Sequence, residues 1–283
     1  VLFRSASEGI RVPAGDFSAK IMVKVGQLNS KDFPANKKYA IPLSITGASN
    51  YSLIPSQRSA ILLLNRSILS SVAKVSGGEG IRIKPVGMHT KAEWTIQMSA
   101  IYSSLTRSNL TTAYLSNGTG GGFYTRISST AGIQVKNGRD GDDTWTQIPL
   151  QAGKWLHITY VHKDKKTTVY VNGKVQKAFE NSAITFGENS MIVVGNSGYR
   201  NDYLREIRLW DKALTESEIN DYLYLPMDPA TPHLISYLPL SKEMETKDLK
   251  APAGTENVTT KARIEYVENV KFPADELVIV NQE

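Results

Sequence analysis

Asn172-Gly173 lies between two runs of β-branched and aromatic residues, T-T-V-Y-V before it and K-V after it. A two-residue type I′ turn needs left-handed backbone at both central positions, which Asn and Gly tolerate best. The dipeptide therefore commits the chain to an antiparallel hairpin. Upstream, Lys154–Val161 and Thr167–Val171 predict two strands joined by the polar turn Lys163-Asp164-Lys165-Lys166. Downstream, Met191–Gly195 and Glu206–Trp210 predict two more. The stretch ends in a helix start. Thr215-Glu216-Ser217-Glu218 fits a capping box, with Leu214 and Ile219 placed for a hydrophobic staple, so a short helix is expected over about Glu216–Leu223.

Taken in order, Trp155-x-His157, Tyr170-Val171-Asn172-Gly173, the Val-Gly-Asn strand end at Gly195, Arg208-x-Trp210 and Ala213-Leu214-Thr215-x-x-Glu218-Ile219 resemble the laminin-G-like branch of the concanavalin A-like lectin/glucanase superfamily. That resemblance implies an all-β fold, an antiparallel β-sandwich of jelly-roll type. Two positions depart from the pattern. Asp202 falls about where members carry Gly, and Arg205 replaces an acidic residue.

The chain has 283 residues, enough for two domains. It has no apolar run of the roughly 18 residues that a spanning helix needs, and no signal peptide is visible at Val1. Val1-Leu2-Phe3 already reads as strand, so the front of the first unit is expected to be missing. The absence of Cys excludes disulfides, thiolate metal sites and a Cys nucleophile. The net charge of +6 is not concentrated. Its longest basic cluster is the turn at Lys163–Lys166, so nucleic acid is not expected as a partner.

Two domains are expected. Residues 1–73 read as a small all-β unit: Ser18–Val25 alternates, Tyr39–Ile45 is a strand that Pro42 consigns to an edge, and Ser59–Leu64 is a last apolar strand. This order resembles a domain of unknown function that precedes laminin-G-like modules in surface lipoproteins of glycan-foraging Gram-negative bacteria. It implies a bacterial protein, secreted or on the outer-membrane surface, with a lipid anchor upstream. Ser67–Gly80 is small and polar and reads as the junction, leaving 74–283 as the jelly-roll domain. There, Trp94–Ala100, Phe123–Ile127 and Gly132–Lys136 predict strands. Gly118–Gly122 is no phosphate cradle, because no helix follows it. Leu225–Pro232 reads as a linker. Leu234–Leu240 is expected to fold back and complete the sandwich, with Val267–Phe272 beside it. One core is predicted to contain Trp155, Ile158, Tyr170, Ile192, Val194 and Trp210.

Glycoside hydrolysis needs two carboxylates flanking the scissile bond. No strand presents them. Glu243-x-Glu245-x-x-Asp248 has comparable spacing but lies in a polar segment. His157 and His162 are five apart on one strand and so point to opposite faces, which argues against a shared metal. Asp142, Asp143 and Asp202 are the candidate ligands should a calcium ion bind, as related domains often hold one at a loop edge. Sugars stack on exposed aromatics, and Tyr102, Tyr114, Tyr124, Trp145, Tyr199 and Tyr203 lie near strand ends. The favoured site is the segment Asn196–Tyr203, read as a rim loop. Tyr199 and Tyr203 would stack on a ring while Asn196, Arg200, Asn201 and Asp202 read hydroxyls. The loops Gly118–Tyr124 and Asp140–Trp145 come next. The expected function is a monomeric, non-catalytic module binding glycan or glycoprotein, and the rival is an adhesion module on the same scaffold.

Overall fold

The computed structural model describes residues 9–21, 23–25, 32–34, 37, 39–64, 67–78, 80–87, 91–106, 111–114, 123–136, 144–180, 184–186, 190–195 and 199–281. In chain order the strands are β1 (Tyr39–Ser44), β2 (Ser59–Leu64), β3 (Ile68–Gly77), β4 (Ile81–Ile83), β5 (Trp94–Ile101), β6 (Thr111–Tyr114), β7 (Phe123–Ser128) and β8 (Gly132–Lys136). They continue with β9 (Trp155–Lys163), β10 (Lys166–Val171), β11 (Lys174–Glu180), β12 (Met191–Val194) and β13 (Tyr199–Trp210). The helix α1 (Glu216–Asp221) precedes β14 (Leu234–Leu238), β15 (Val258–Thr259) and β16 (Arg263–Phe272).

These strands form a sandwich of two antiparallel sheets. The larger runs β11-β10-β9-β5-β13-β3-β16, with β14 also paired to β13. The smaller runs β15-β4-β12-β6-β7-β8. Each sheet turns its apolar alternate residues to the other. Ile96, Met98, Ile158 and Tyr160 come from the large sheet, and Ile83, Ile127, Val135, Ile192 and Val194 from the small one. Trp94 meets Phe123 edge-on at 5.2 Å between ring centres, and Phe123 meets Tyr160 at 5.4 Å. The Tyr160 hydroxyl donates across the gap to Thr125 Oγ1 at 3.1 Å, so its one polar atom is satisfied inside the core.

The hairpin at Asn172-Gly173 forms as expected, with both residues at positive φ. Its tip docks on α1, where Asn220 Nδ2 donates to the Gly173 carbonyl at 3.1 Å. The helix begins as its sequence predicts. Thr215 Oγ1 accepts from Glu218 N, and Glu218 Oε2 accepts from Thr215 N. Leu214 and Ile219 are buried in one cluster with Trp210 and Tyr237. The helix ends at Asp221, two residues earlier than expected.

Several expectations are corrected. Ser67–Gly80 is no junction: β3 is an interior strand of the large sheet, paired to β13 on one side and β16 on the other. The described residues of 18–25 carry no strand. The hairpin of β1 and β2 is a separate two-stranded sheet. The return of Leu234–Leu238 to the sandwich holds, beside β13. Val267–Phe272 instead pairs with β3. The predicted core also divides. Ile158, Ile192 and Val194 lie between the sheets. Trp210 and the half-buried Tyr170 pack with α1, and Trp155 packs with Phe272, on the outer face of the large sheet.

Candidate functional site

Tyr199 and Arg200 open strand β13 instead of lying in a loop, and Asn196 falls outside the described residues. Against β3 the register passes from Arg200↔Ser76 to Asp202↔Val75, so Asn201 is a bulge residue. It is exposed at φ 59°, a left-handed conformation that Asn accepts more readily than most residues. Asp202 is fully buried. Its Oδ1 accepts from Ser103 N at 2.9 Å and Ser103 Oγ at 3.0 Å, just past the end of β5. The carboxylate thus continues the pairing where the backbone ladder stops, and its role is to hold the strand end. Tyr203 is half-buried in the cluster of Ile68, Val72, Ile101 and Trp155, which draws its ring toward the scaffold. Asp142 and Asp143 lie outside the described residues. Among the described residues no three His, Asp or Glu side chains converge as metal ligands.

The other constellations separate as well. Asp248 is buried, accepting from Ser236 Oγ, Tyr237 N, Lys250 N and Asn257 Nδ2 at 2.7–3.0 Å. It organises the turn after β14. His162 points inward and stacks on Trp94 at 5.1 Å. Its Nε2 accepts from Ile184 N, which leaves Nδ1 to donate to Thr167 Oγ1. Burial pushes its pKa down to about 4. His157 faces the opposite way, with Nδ1 2.6 Å from Ser99 Oγ. Burial first, then the charges of Arg205 and Arg208, push it down to about 3.

On the outer face of the large sheet lies a buried ionic cluster that the sequence reading missed. Glu206 is a bulge residue in the β13–β5 pairing, with φ 56°. This turns Glu206 toward Arg205 and Arg208. Arg205 Nη2 donates to Glu206 Oε1 at 3.4 Å and Arg208 Nη2 to Oε2 at 2.5 Å. The Tyr237 hydroxyl donates to the same carboxylate. Other Nη donors fasten the segment after α1: Arg205 Nη1 reaches the Tyr224 carbonyl at 3.0 Å, and Arg208 reaches those of Tyr222 and Leu225. Arg205 also lies 4.0 Å over the Phe272 ring. The signal for this cluster is three charges in four residues, Arg205, Glu206 and Arg208, set among the apolar Leu204, Ile207, Leu209 and Trp210.

The outer face of the small sheet is different. Its strands alternate, so Phe123, Thr125 and Ile127 face the core while Tyr124, Arg126 and Ser128 are half-buried on the other side. Tyr124 pairs across to Lys136, and Arg126 to Gln134. Arg126 Cζ and Lys136 Nζ each lie 5.6 Å from the centre of the Tyr124 ring. Trp145, also half-buried, bridges to Gln134 along the free side of β8. Gln134 donates to Thr144 Oγ1 at 2.8 Å. Of the six aromatics expected near strand ends, Tyr102 is core. Tyr124 and Trp145 are brought to one edge of one sheet.

A sequence profile described as the concanavalin A-like lectin/glucanases superfamily, of the laminin-G type, matches residues 76–220. The chain belongs to this superfamily. Among solved structures, a candidate carbohydrate-binding protein from Bacteroides ovatus aligns with a TM-score of 0.56 at 18% identity, over 87% of this chain and 72% of that one. At that identity the likeness speaks for the fold. A heptameric SAP-like pentraxin from Limulus polyphemus aligns at 0.46 and 13% identity, over 70% and 94% of the two chains. Domain 4 of the arabinanase AbnA from Geobacillus stearothermophilus, in complex with arabinotriose, aligns at 0.43 and 14%, over 64% and 86%. Comparison with curated proteins gave no match. The superfamily match covers β4 to α1 and accounts for the hairpin, the Arg208-x-Trp210 strand and the capped helix. It ends before β14 and β16, which complete the large sheet.

Proposed function

We propose that this chain is a non-catalytic carbohydrate-binding module, with its principal surface on the outer face of the small sheet around Tyr124 and Trp145. The observation that carries this reading is the placing of two half-buried aromatics, Tyr124 and Trp145, near the half-buried Arg126 on adjoining rows of one sheet edge. Aromatic plates with fork-shaped polar groups suit a pyranose, which offers both C–H faces and hydroxyls. Membership of a lectin/glucanase superfamily and the likeness to the Bacteroides ovatus protein support it. Against hydrolysis stands the use made of the strand carboxylates. Asp202 and Glu206 are buried and bonded, while Glu265 pairs with Lys74 and Arg263, and Glu268 with Lys242.

The start of β13 is a second proposed contact, because the Asn201 bulge is exposed there between Arg200 and Asp202. A location outside the cell, in a glycan-utilisation system, belongs to the same proposal. Among the described residues no helix is long and apolar enough to cross a membrane. A glycan array with the purified chain tests the reading. Binding that is lost in Tyr124→Ala, Trp145→Ala is the expected result. Loss in Tyr199→Ala, Asn201→Ala instead would move the site to β13. Reducing-sugar release from any bound polymer would overturn the non-catalytic assignment.

A further inference from the structure

On the outer face of the large sheet, three buried N–H donors have no acceptor among the described residues: Arg205 Nε, Arg208 Nε and Trp155 Nε1. The great majority of buried donors in folded proteins are bonded, so three on one face call for a partner. The register gathers them. Arg205 stands opposite Ser99 and Ser99 opposite His157, while Tyr203, Ile101 and Trp155 form the next row. Phe272 joins the two rows, since the Arg205 Cζ lies 4.0 Å and the Trp155 ring 5.0 Å from the centre of its ring. Trp155 also stacks on His157 at 6.4 Å, and His157 meets the ring of Tyr224, whose carbonyl accepts from Arg205 Nη1.

The charges of this layer do not balance either. Arg205 and Arg208 share a single carboxylate, that of Glu206. Burial and the two arginines keep His157 neutral, and burial keeps the Tyr237 hydroxyl protonated. Two guanidiniums against one carboxylate leave one positive charge unmatched, and an unmatched charge out of water is strongly destabilising. Glu206 cannot serve the orphaned donors as well. Its oxygens already accept from Arg205 Nη2, Arg208 Nη2 and the Tyr237 hydroxyl. A water molecule would accept from an orphaned N–H, but it brings two protons that need acceptors of their own and leaves the charge as it was. An anion accepts only, and it cancels the excess.

We propose that this layer binds one small monovalent anion, of the size and charge of chloride, between Arg205 and Trp155. Arg205 Nε and Trp155 Nε1 donate to it, and Arg208, one row along the same face, adds its charge. The ion completes the fastening of the segment after α1, because the guanidiniums that hold the carbonyls of Tyr222, Tyr224 and Leu225 are the ones it neutralises. It lies across the sandwich from Tyr124 and binds whether or not a sugar does.

The test begins with thermal melts of the whole chain, dialysed into sodium gluconate, as sodium chloride or bromide replaces the gluconate at constant ionic strength. The melting temperature is expected to rise with halide and then level off, since a ligand held only by the folded state stabilises it. Trp155→Phe keeps a ring against Phe272 and His157 but removes the N–H. It is expected to need about tenfold more chloride for the same rise. A crystal grown in bromide is expected to show the anomalous signal of the halide between Arg205 and Trp155, and this measurement decides the matter should Trp155→Phe fail to fold. Melting temperatures indifferent to halide would overturn the proposal. A chloride dependence unchanged in folded Trp155→Phe would overturn it too, as would a bromide crystal with water between these two side chains.

Discussion

On the outer face of the large sheet, two guanidiniums, a carboxylate and a phenol are shut away beneath residues 222–228. On the outer face of the small sheet, a tyrosine stands half-buried between two cations. Both faces invest in arginine and aromatic rings, and burial decides what they do. Arg205 and Arg208 direct their Nη donors to Glu206 and to three carbonyls of the segment after α1. Charge taken out of water must be paired, so it acts as a fastener. Arg126 keeps one side toward solvent, where charge is cheap to hold and useful to a ligand, while Lys136 is buried beside the Tyr124 ring.

The largest effect should come from breaking the buried cluster. Glu206→Ala leaves two guanidiniums buried without their carboxylate, and should cost about 3–5 kcal/mol in denaturant unfolding. The matched change on the other face, Arg126→Ala, should cost less than about 1 kcal/mol. Equal costs would erase the distinction between the faces.

Acid sharpens the same contrast. His157 and His162 are held neutral in the fold, at about 3 and about 4, against about 6.5 when the chain is unfolded. Between those values the unfolded chain binds more protons. Stability is therefore complete above about pH 6.5 and falls as the pH drops toward the folded values. For His162 the loss is on the order of 3 kcal/mol, at about 1.4 kcal/mol per pH unit. Denaturation curves at pH 7.5 and 4.5 should differ accordingly, and His162→Gln should remove about half of the difference, His157 keeping the rest. A His162→Gln profile as steep as the parent's would show that this ring does not carry it.

A smaller cost attaches to the helix that covers the large sheet. Thr215→Ala removes the cap and should cost about 1 kcal/mol. The fall should appear in thermal melts without change in ligand binding, since α1 lies across the sandwich from Tyr124. Least of all should Tyr124→Ala affect stability, by under about 1 kcal/mol, while glycan binding falls. A large stability loss there would mark Tyr124 as structural.

What could be read from the sequence was local. Asn172-Gly173 and Thr215–Glu218 carry their geometry within four residues, and both form as expected. What escaped depends on partners far along the chain. β3 looks like a junction because Ser70, Ser71 and Ser76 are small and polar. It is a strand because β13 and β16 flank it and leave Val72, Ala73 and Val75 wholly buried. Arg200, Asn201 and Asp202 looked like a loop because polar residues rarely continue a strand. The Asn201 bulge absorbs one of them, and Ser103 satisfies another. Tyr124 and Trp145 are both candidate aromatics in the sequence, but their sharing of one sheet edge follows from the pairing of each with β8, which no local pattern announces.

The pairing of Ile68 with Phe272 also sets a clock for synthesis. Roughly two hundred residues separate these partners, and a ribosome adding about 5–20 residues per second needs some 10–40 s to make them. Until β13 emerges β3 has neither flanking strand, and until β16 follows the large sheet must wait with an unfilled place beside β3. The first half of the chain therefore emerges with strand edges that any neighbouring nascent chain could occupy. The small polar residues of β3 that disguised it as a junction are also what would keep such an edge from sticking while it waits.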